Sequence, residues 1–175
     1  MGNVDVRPAT ATDAAAIRRI GRETWPSTCA FAGEAYIAHG LATWWSDEAV
    51  LRGIETTRTF VAELSGDVIG MGNVDLRPER PIIWKLYVVP GHQGTGAGHA
   101  LMARLLAEVP PGSEVLLEYA AGNTRAADFY RRHGFVELRR EAPPQKGWPD
   151  QVWMVHRTAA VGDQGRGDRG RGKRA

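Results

Sequence analysis

At 175 residues and 43% hydrophobic composition the chain can build one domain with a sizeable core, and nothing demands a metal or disulfide staple. The formal charge of +2 comes from the stretch beginning at Ala159, where Arg166, Arg169, Arg171, Lys173 and Arg174 oppose only Asp163 and Asp168; the remainder carries −1, which excludes a basic nucleic-acid-steering domain. A single cysteine, Cys29, excludes an internal bridge and fits a reducing cytoplasm, and without an apolar leader or a bilayer-length apolar run a soluble cytoplasmic protein is expected.

Val4 and Val6 alternate with Asp5 and Arg7 as a first strand that Pro8 should stop. A helix follows, with Thr10 or Thr12 as its cap, Asp13 at its positive end, Ile17, Ile20 and Trp25 on its apolar face, and Pro26 as its end. Tyr36, Ile37, Leu41, Trp44 and Trp45 recur at helical spacing across 34–45, and a third short helix falls at 48–54. Strands at 59–64 and 67–75 flank Ser65-Gly66, a turn of hairpin type, and should pair antiparallel. A strand at 82–89 feeds a glycine-rich loop, and a helix at 96–108 then runs to Pro110-Pro111-Gly112. A buried strand at 115–119, a helix at 124–133 closed by Gly134, and strands at 135–140 and 151–155 complete residues 1–157 as one domain. Residues 158–175 read as a disordered Gly/Arg-rich basic tail with no aromatic residue to stack on bases, so no nucleic-acid partner is expected.

The loop is the most specific stretch. Gly91-His92-Gln93-Gly94-Thr95-Gly96-Ala97-Gly98 lies between a β-branched and aromatic strand and a helix start, where unpaired amides and the positive end of a helix dipole together hold an anion such as phosphate. A P-loop is excluded because no Lys-Ser or Lys-Thr follows the glycines. A dinucleotide fingerprint read from Gly94 and Gly96 puts bulky His99 at its third position, although Glu118 lies where a ribose-binding acid would stand. The remaining pattern, Gln-x-x-Gly-x-Gly from Gln93, resembles the acyl-CoA pyrophosphate loop of the GNAT superfamily of N-acetyltransferases. Downstream, Asn123-Thr124-Arg125-Ala126-Ala127-Asp128-Phe129-Tyr130, followed by His133-Gly134-Phe135, resembles that family's second segment.

The resemblance spans roughly 4–157 and is specific only between Leu86 and Phe135. It implies an α+β domain whose mixed, mostly antiparallel sheet is splayed in the middle, with helices on both faces. Acetyl-CoA would lie in the splay as cosubstrate. Leu86, Tyr87 and Val88 would offer backbone groups to its pantetheine arm, and Gln93, Gly94, Thr95, Gly96, Ala97 and Gly98 would hold its pyrophosphate. Asn123 and Tyr130 would touch the cofactor from the following helix, and Tyr130 would give a proton to the departing thiolate.

Chemistry adds a second catalytic candidate. A lysine-like amine costs about 5 kcal/mol to neutralise at pH 7, so a base is required. Glu118, on the strand bordering the splay, is the candidate, with ammonium binding or a salt bridge as its competing roles. The expected acceptor is a small-molecule or peptide primary amine, and homodimerisation is compatible with the resemblance. Trp25, Phe31, Tyr36, Trp44 and Trp45 fall where related proteins bind acceptors, with the loop at 146–149 closing the far side. His92, His99 and His133 lack paired metal-ligand spacing, so no metal is expected. A non-catalytic acyl-CoA-binding regulatory module would share the loop but has no use for Tyr130.

Overall fold

The computed structural model describes residues 3–161; the expected tail beyond Val161 lies outside the described residues. Strand β1 (Val4–Pro8) starts the sheet and runs into Pro8 itself. Its Arg7 forks onto Asp13, with both N···O distances 2.9 Å, and also reaches Glu63 at 2.6 Å. Asp13 is therefore buried against a guanidinium, which holds its carboxyl below the usual range, while it accepts the Thr10 N–H at 2.8 Å.

Helix α1 (Ala14–Thr28) continues past Pro26, where the sequence places its end. Proline removes only the bond to the Arg22 carbonyl. Burial of Trp25 and the Cys29 N–H to Trp25 carbonyl bond at 3.0 Å hold the last turn together. Helices α2 (Glu34–Thr43) and α3 (Asp47–Thr56) follow, the latter capped by Ser46, whose hydroxyl accepts the Ala49 N–H.

Two glycines let these helices close on one another. A Cβ on Gly21 would overlap the Trp45 indole, and one on Gly40 would overlap the indole of Trp25. Helix propensity alone favours alanine over glycine by about 1 kcal/mol. In Gly21→Ala the ring must move out of a site where it is 2% exposed, and overpacking of that kind costs about 1–3 kcal/mol. The variant is expected to melt several degrees lower; an unchanged or raised Tm would show that the indole relocates freely.

The seven strands lie in the order β1-β2-β3-β4-β5-β7-β6. Strands β2 (Arg58–Leu64) and β3 (Asp67–Asp75) pair antiparallel through Ser65 and Gly66, whose φ values of 53° and 87° give the turn the hand that matches strand twist. On β3, Gly70 and Gly72 present a groove to helix α4 (Ala97–Glu108): a Cβ at Gly72 would lie 3.0 Å from Leu105 Cδ1. The opposite sheet face carries Tyr87 against Trp25 and Trp45, at ring-centroid separations of 6.3 and 5.0 Å. Helices thus cover both faces.

Strand β4 (Ile82–Val88) and strand β5 (Glu114–Ala120) are parallel neighbours, yet they pair only at Ile82 with Leu116 and Ile83 with Leu117. Beyond those two rungs they part. Helix α5 (Thr124–Arg132), strand β6 (Val136–Glu141) and strand β7 (Gln151–Arg157) complete the domain, with β7 antiparallel to both β5 and β6. One parallel pair within an otherwise antiparallel sheet excludes the doubly wound topology that a dinucleotide fingerprint requires. No helix among the described residues is long and apolar enough to cross a membrane.

Candidate functional site

The parting of β4 from β5 opens a cavity of about 790 Å³. Strand β4 contributes Leu86, Tyr87 and Val88 to its wall, β5 contributes Glu118, and α5 contributes Asn123 and Tyr130. Gln93, Gly94, Gly96 and Gly98 close one end. Thr95 and Ala97 stand apart from this lining. The Thr95 hydroxyl donates to the His92 carbonyl at 2.7 Å, and Ala97 is 1% exposed within the core.

The loop is shaped for main-chain donors. Gly94 and Gly96 adopt φ of 87° and 90°, which a side chain strains, and a Cβ at either would meet nothing within 4 Å, so conformation rather than crowding calls for glycine there. Gly96 caps α4, and Ala100 N–H returns to its carbonyl at 2.9 Å. The amides of the first turn precede that bond and have no intrahelical carbonyl. Gly98 lies beside α5, and a Cβ there would sit in ordinary contact with the Phe129 ring at 3.4 Å. Gln93 turns its side chain back, its Nε2 donating to the Val88 carbonyl at 3.3 Å.

Helices α4 and α5 are linked by two histidines. His133 Nδ1 lies 2.8 Å from the Phe129 carbonyl, which only accepts, so its proton is on Nδ1. Its Nε2 is hydrogen-bonded to His99 Nδ1 at 3.0 Å. This pair is hydrogen-bonded to itself, and no group of three metal-ligating side chains converges among the described residues. Asn123 caps α5, its Oδ1 accepting the Ala126 N–H at 3.0 Å, while remaining in the cavity wall.

The titratable groups in the cavity are displaced by burial. The Tyr130 phenol is pushed up to about 12, first by desolvation and then by neighbouring Tyr119. Glu118 is raised by burial and by the charge of Glu141, with Arg139 opposing. Cys29, also in the wall, is pushed up to about 12 by burial alone. Tyr36 stacks on Trp25 and meets Trp148 at 5.3 Å, so the loop at 146–149 reaches across to α2. Phe31 lies outside this cluster, 46% exposed and against Gly122.

Lys85 is a wall residue that sequence reasoning missed, as are Arg125, Arg132 and Gln151. Its ammonium lies 5.3 Å from the Trp45 ring centroid, and burial lowers it to about 8. The available signal was a lone charge inside the otherwise apolar run Ile82-Ile83-Trp84-Lys85-Leu86-Tyr87-Val88.

An α+β sheet parted at one parallel pair, with an amide-lined turn at the head of the following helix, defines the GNAT fold class. Residues 55–137 match the acetyltransferase (GNAT) domain model. That segment is 83 of the chain's 175 residues, and over it the chain is similar to the GNAT acetyltransferases. A curated relative, the L-2,4-diaminobutyric acid acetyltransferase of Nocardia farcinica, is 40% identical over 63 residues, covering 34% of this chain and 33% of the relative. The match thus spans a third of that relative's length. Among solved structures, the PaiA N-acetyltransferase of Thermoplasma acidophilum in complex with coenzyme A superposes with a TM-score of 0.74 at 18% identity, covering 89% of this chain and 99% of that one. A GCN5-related N-acetyltransferase from Rhodopseudomonas palustris gives 0.75 at 22% identity over 90% and 97% of the two chains. The ribosomal-protein-S18-alanine N-acetyltransferase of Escherichia coli gives 0.66 at 20% identity, over 92% and 97%. These likenesses establish the fold.

Proposed function

We propose that residues 1–157 transfer the acetyl group of acetyl-CoA to a primary amine by direct attack. The observation that carries this reading is the parted pair of strands opening on an amide-lined turn, with the Tyr130 phenol in the same cavity. Main-chain amides around Gly94, Gly96 and Gly98 bind the pyrophosphate, and the edge of β4 at Leu86, Tyr87 and Val88, which has no ladder partner on β5, faces the amides of the pantetheine arm. Glu118 takes a proton from the acceptor ammonium. The amine nitrogen then bonds to the thioester carbon, the carbon–sulfur bond breaks, Tyr130 supplies a proton to the sulfur, and the second nitrogen proton, released as the amide forms, returns to the Tyr130 phenolate through solvent. The L-2,4-diaminobutyric acid named for the curated relative is a primary amine, which supports this acceptor class.

Release of free thiol from acetyl-CoA against a pooled amine library tests the reading. Amine-dependent release is the expected result; tight binding of acetyl-CoA with no release under any amine would favour a regulatory module. Because Glu118 must be ionised to act, and its pKa is raised, kcat/KM should climb with pH through a range above that of an ordinary glutamate. Glu118→Gln should lower kcat/KM and leave a rate that rises about tenfold per pH unit with the fraction of neutral amine. An identical profile in the variant would remove Glu118 from the proton path.

A further inference from the structure

The ammonium of Lys85 has no place in the chemistry above, and its position is unusual. It occupies β4 on the face covered by α1 to α3, two residues before Tyr87, and faces the Trp45 ring. Among the described residues no carboxylate forms an ion pair with it, and burial is the sole perturbation it experiences. The phosphate-binding turn begins beyond Val88, about 10 Å farther along the strand, so cofactor phosphates do not account for this charge. A partly buried ammonium without a counter-ion is costly to keep and gains strongly from a charge-assisted hydrogen bond to an anion. Across the parted strands, Glu118 presents the opposite sign to the same cavity.

We propose that Lys85 binds an acidic group of the acceptor, so that the cavity selects amino acids and similarly acid-bearing amines, carboxylate on Lys85 and reacting amine toward Glu118. The assignment rests on the acyl-transfer reading and deepens it to a substrate class.

Acceptors that differ by one carboxylate test it: 2,4-diaminobutyrate against 1,3-diaminopropane, and lysine against 1,5-diaminopentane. In at least one pair the acid-bearing member should have the higher kcat/KM by about tenfold or more. Lys85→Met should shrink that preference by about 10- to 100-fold, and Lys85→Arg should recover part of it. A preference for the acid-free amines, or one that Lys85→Met leaves intact, overturns the proposal while acyl transfer stands. If no amine releases thiol, acyl transfer fails and the lysine is judged by calorimetry. The acetyl-CoA-loaded wild-type chain should then bind 2,4-diaminobutyrate or lysine at least about tenfold more tightly than Lys85→Met does, and equal affinity or absent heat overturns the proposal.

Discussion

Tyr130→Phe should lower kcat by about 100-fold or more while changing acetyl-CoA affinity by no more than a few-fold, the range expected when a positioned acid is removed. The ring keeps its neighbours, Phe129 at 5.7 Å and Phe135 and Tyr119 at 6.1 Å, so stability should hold. A phenol at about 12 set against an aqueous thiol near 8.5 would make proton transfer uphill by about 5 kcal/mol. Desolvation works on the thiolate in the same direction: Cys29, in the same wall, is pushed up to about 12 by burial, so exclusion of water from the departing sulfur narrows this gap. Since Tyr130 stays protonated throughout ordinary assay conditions, its loss should depress kcat at every pH between about 6 and 10. An unchanged kcat at saturating acetyl-CoA across that interval would strip Tyr130 of its donor role.

Gly96→Pro should weaken acetyl-CoA binding by about 100-fold with the fold preserved. Proline fixes φ near −65° and has no N–H, whereas Gly96 stands at 90° and heads α4. The substitution deletes one donor to a charged ligand, worth about 1.5–3 kcal/mol, and turns its neighbours away. Gly91→Ala is the control, because a Cβ there meets nothing within 4 Å and its φ is not positive; its affinity should stay within a few-fold of wild type. Titration calorimetry alongside circular dichroism checks both. Full affinity in a folded Gly96→Pro protein would move the pyrophosphate elsewhere.

What could be read in advance followed the range of the forces involved. Asp67 and Asp75 bound β3 as expected because the turn chemistry of Ser65-Gly66 is local, and the glycine loop announced the head of α4 for the same reason. Pro26 misleads because its local rule is overridden by Trp25, whose burial among Tyr36, Trp44 and Tyr87 joins elements far apart in the chain. Gly21 and Gly40 read only as weak helix formers until Trp45 and Trp25 are seen lying on them. Lys85 escaped notice because a single charge in a strand suggests a solvent-facing position, and only the packing of Trp45 places it against a cavity. Asp13 reads as a favourable charge at a helix start, but it shares Arg7 with Glu63, and the sheet must bring Arg7 and Glu63, 56 positions apart, together.

The two-rung join between β4 and β5 also bears on how this molecule behaves when empty. Four strands stand on one side of that seam and three on the other, and little ladder bonding stitches them. On the proposed reading, a thioester arm laid into the gap would act as mortar between the two banks, so acetyl-CoA should raise the Tm in proportion to its occupancy.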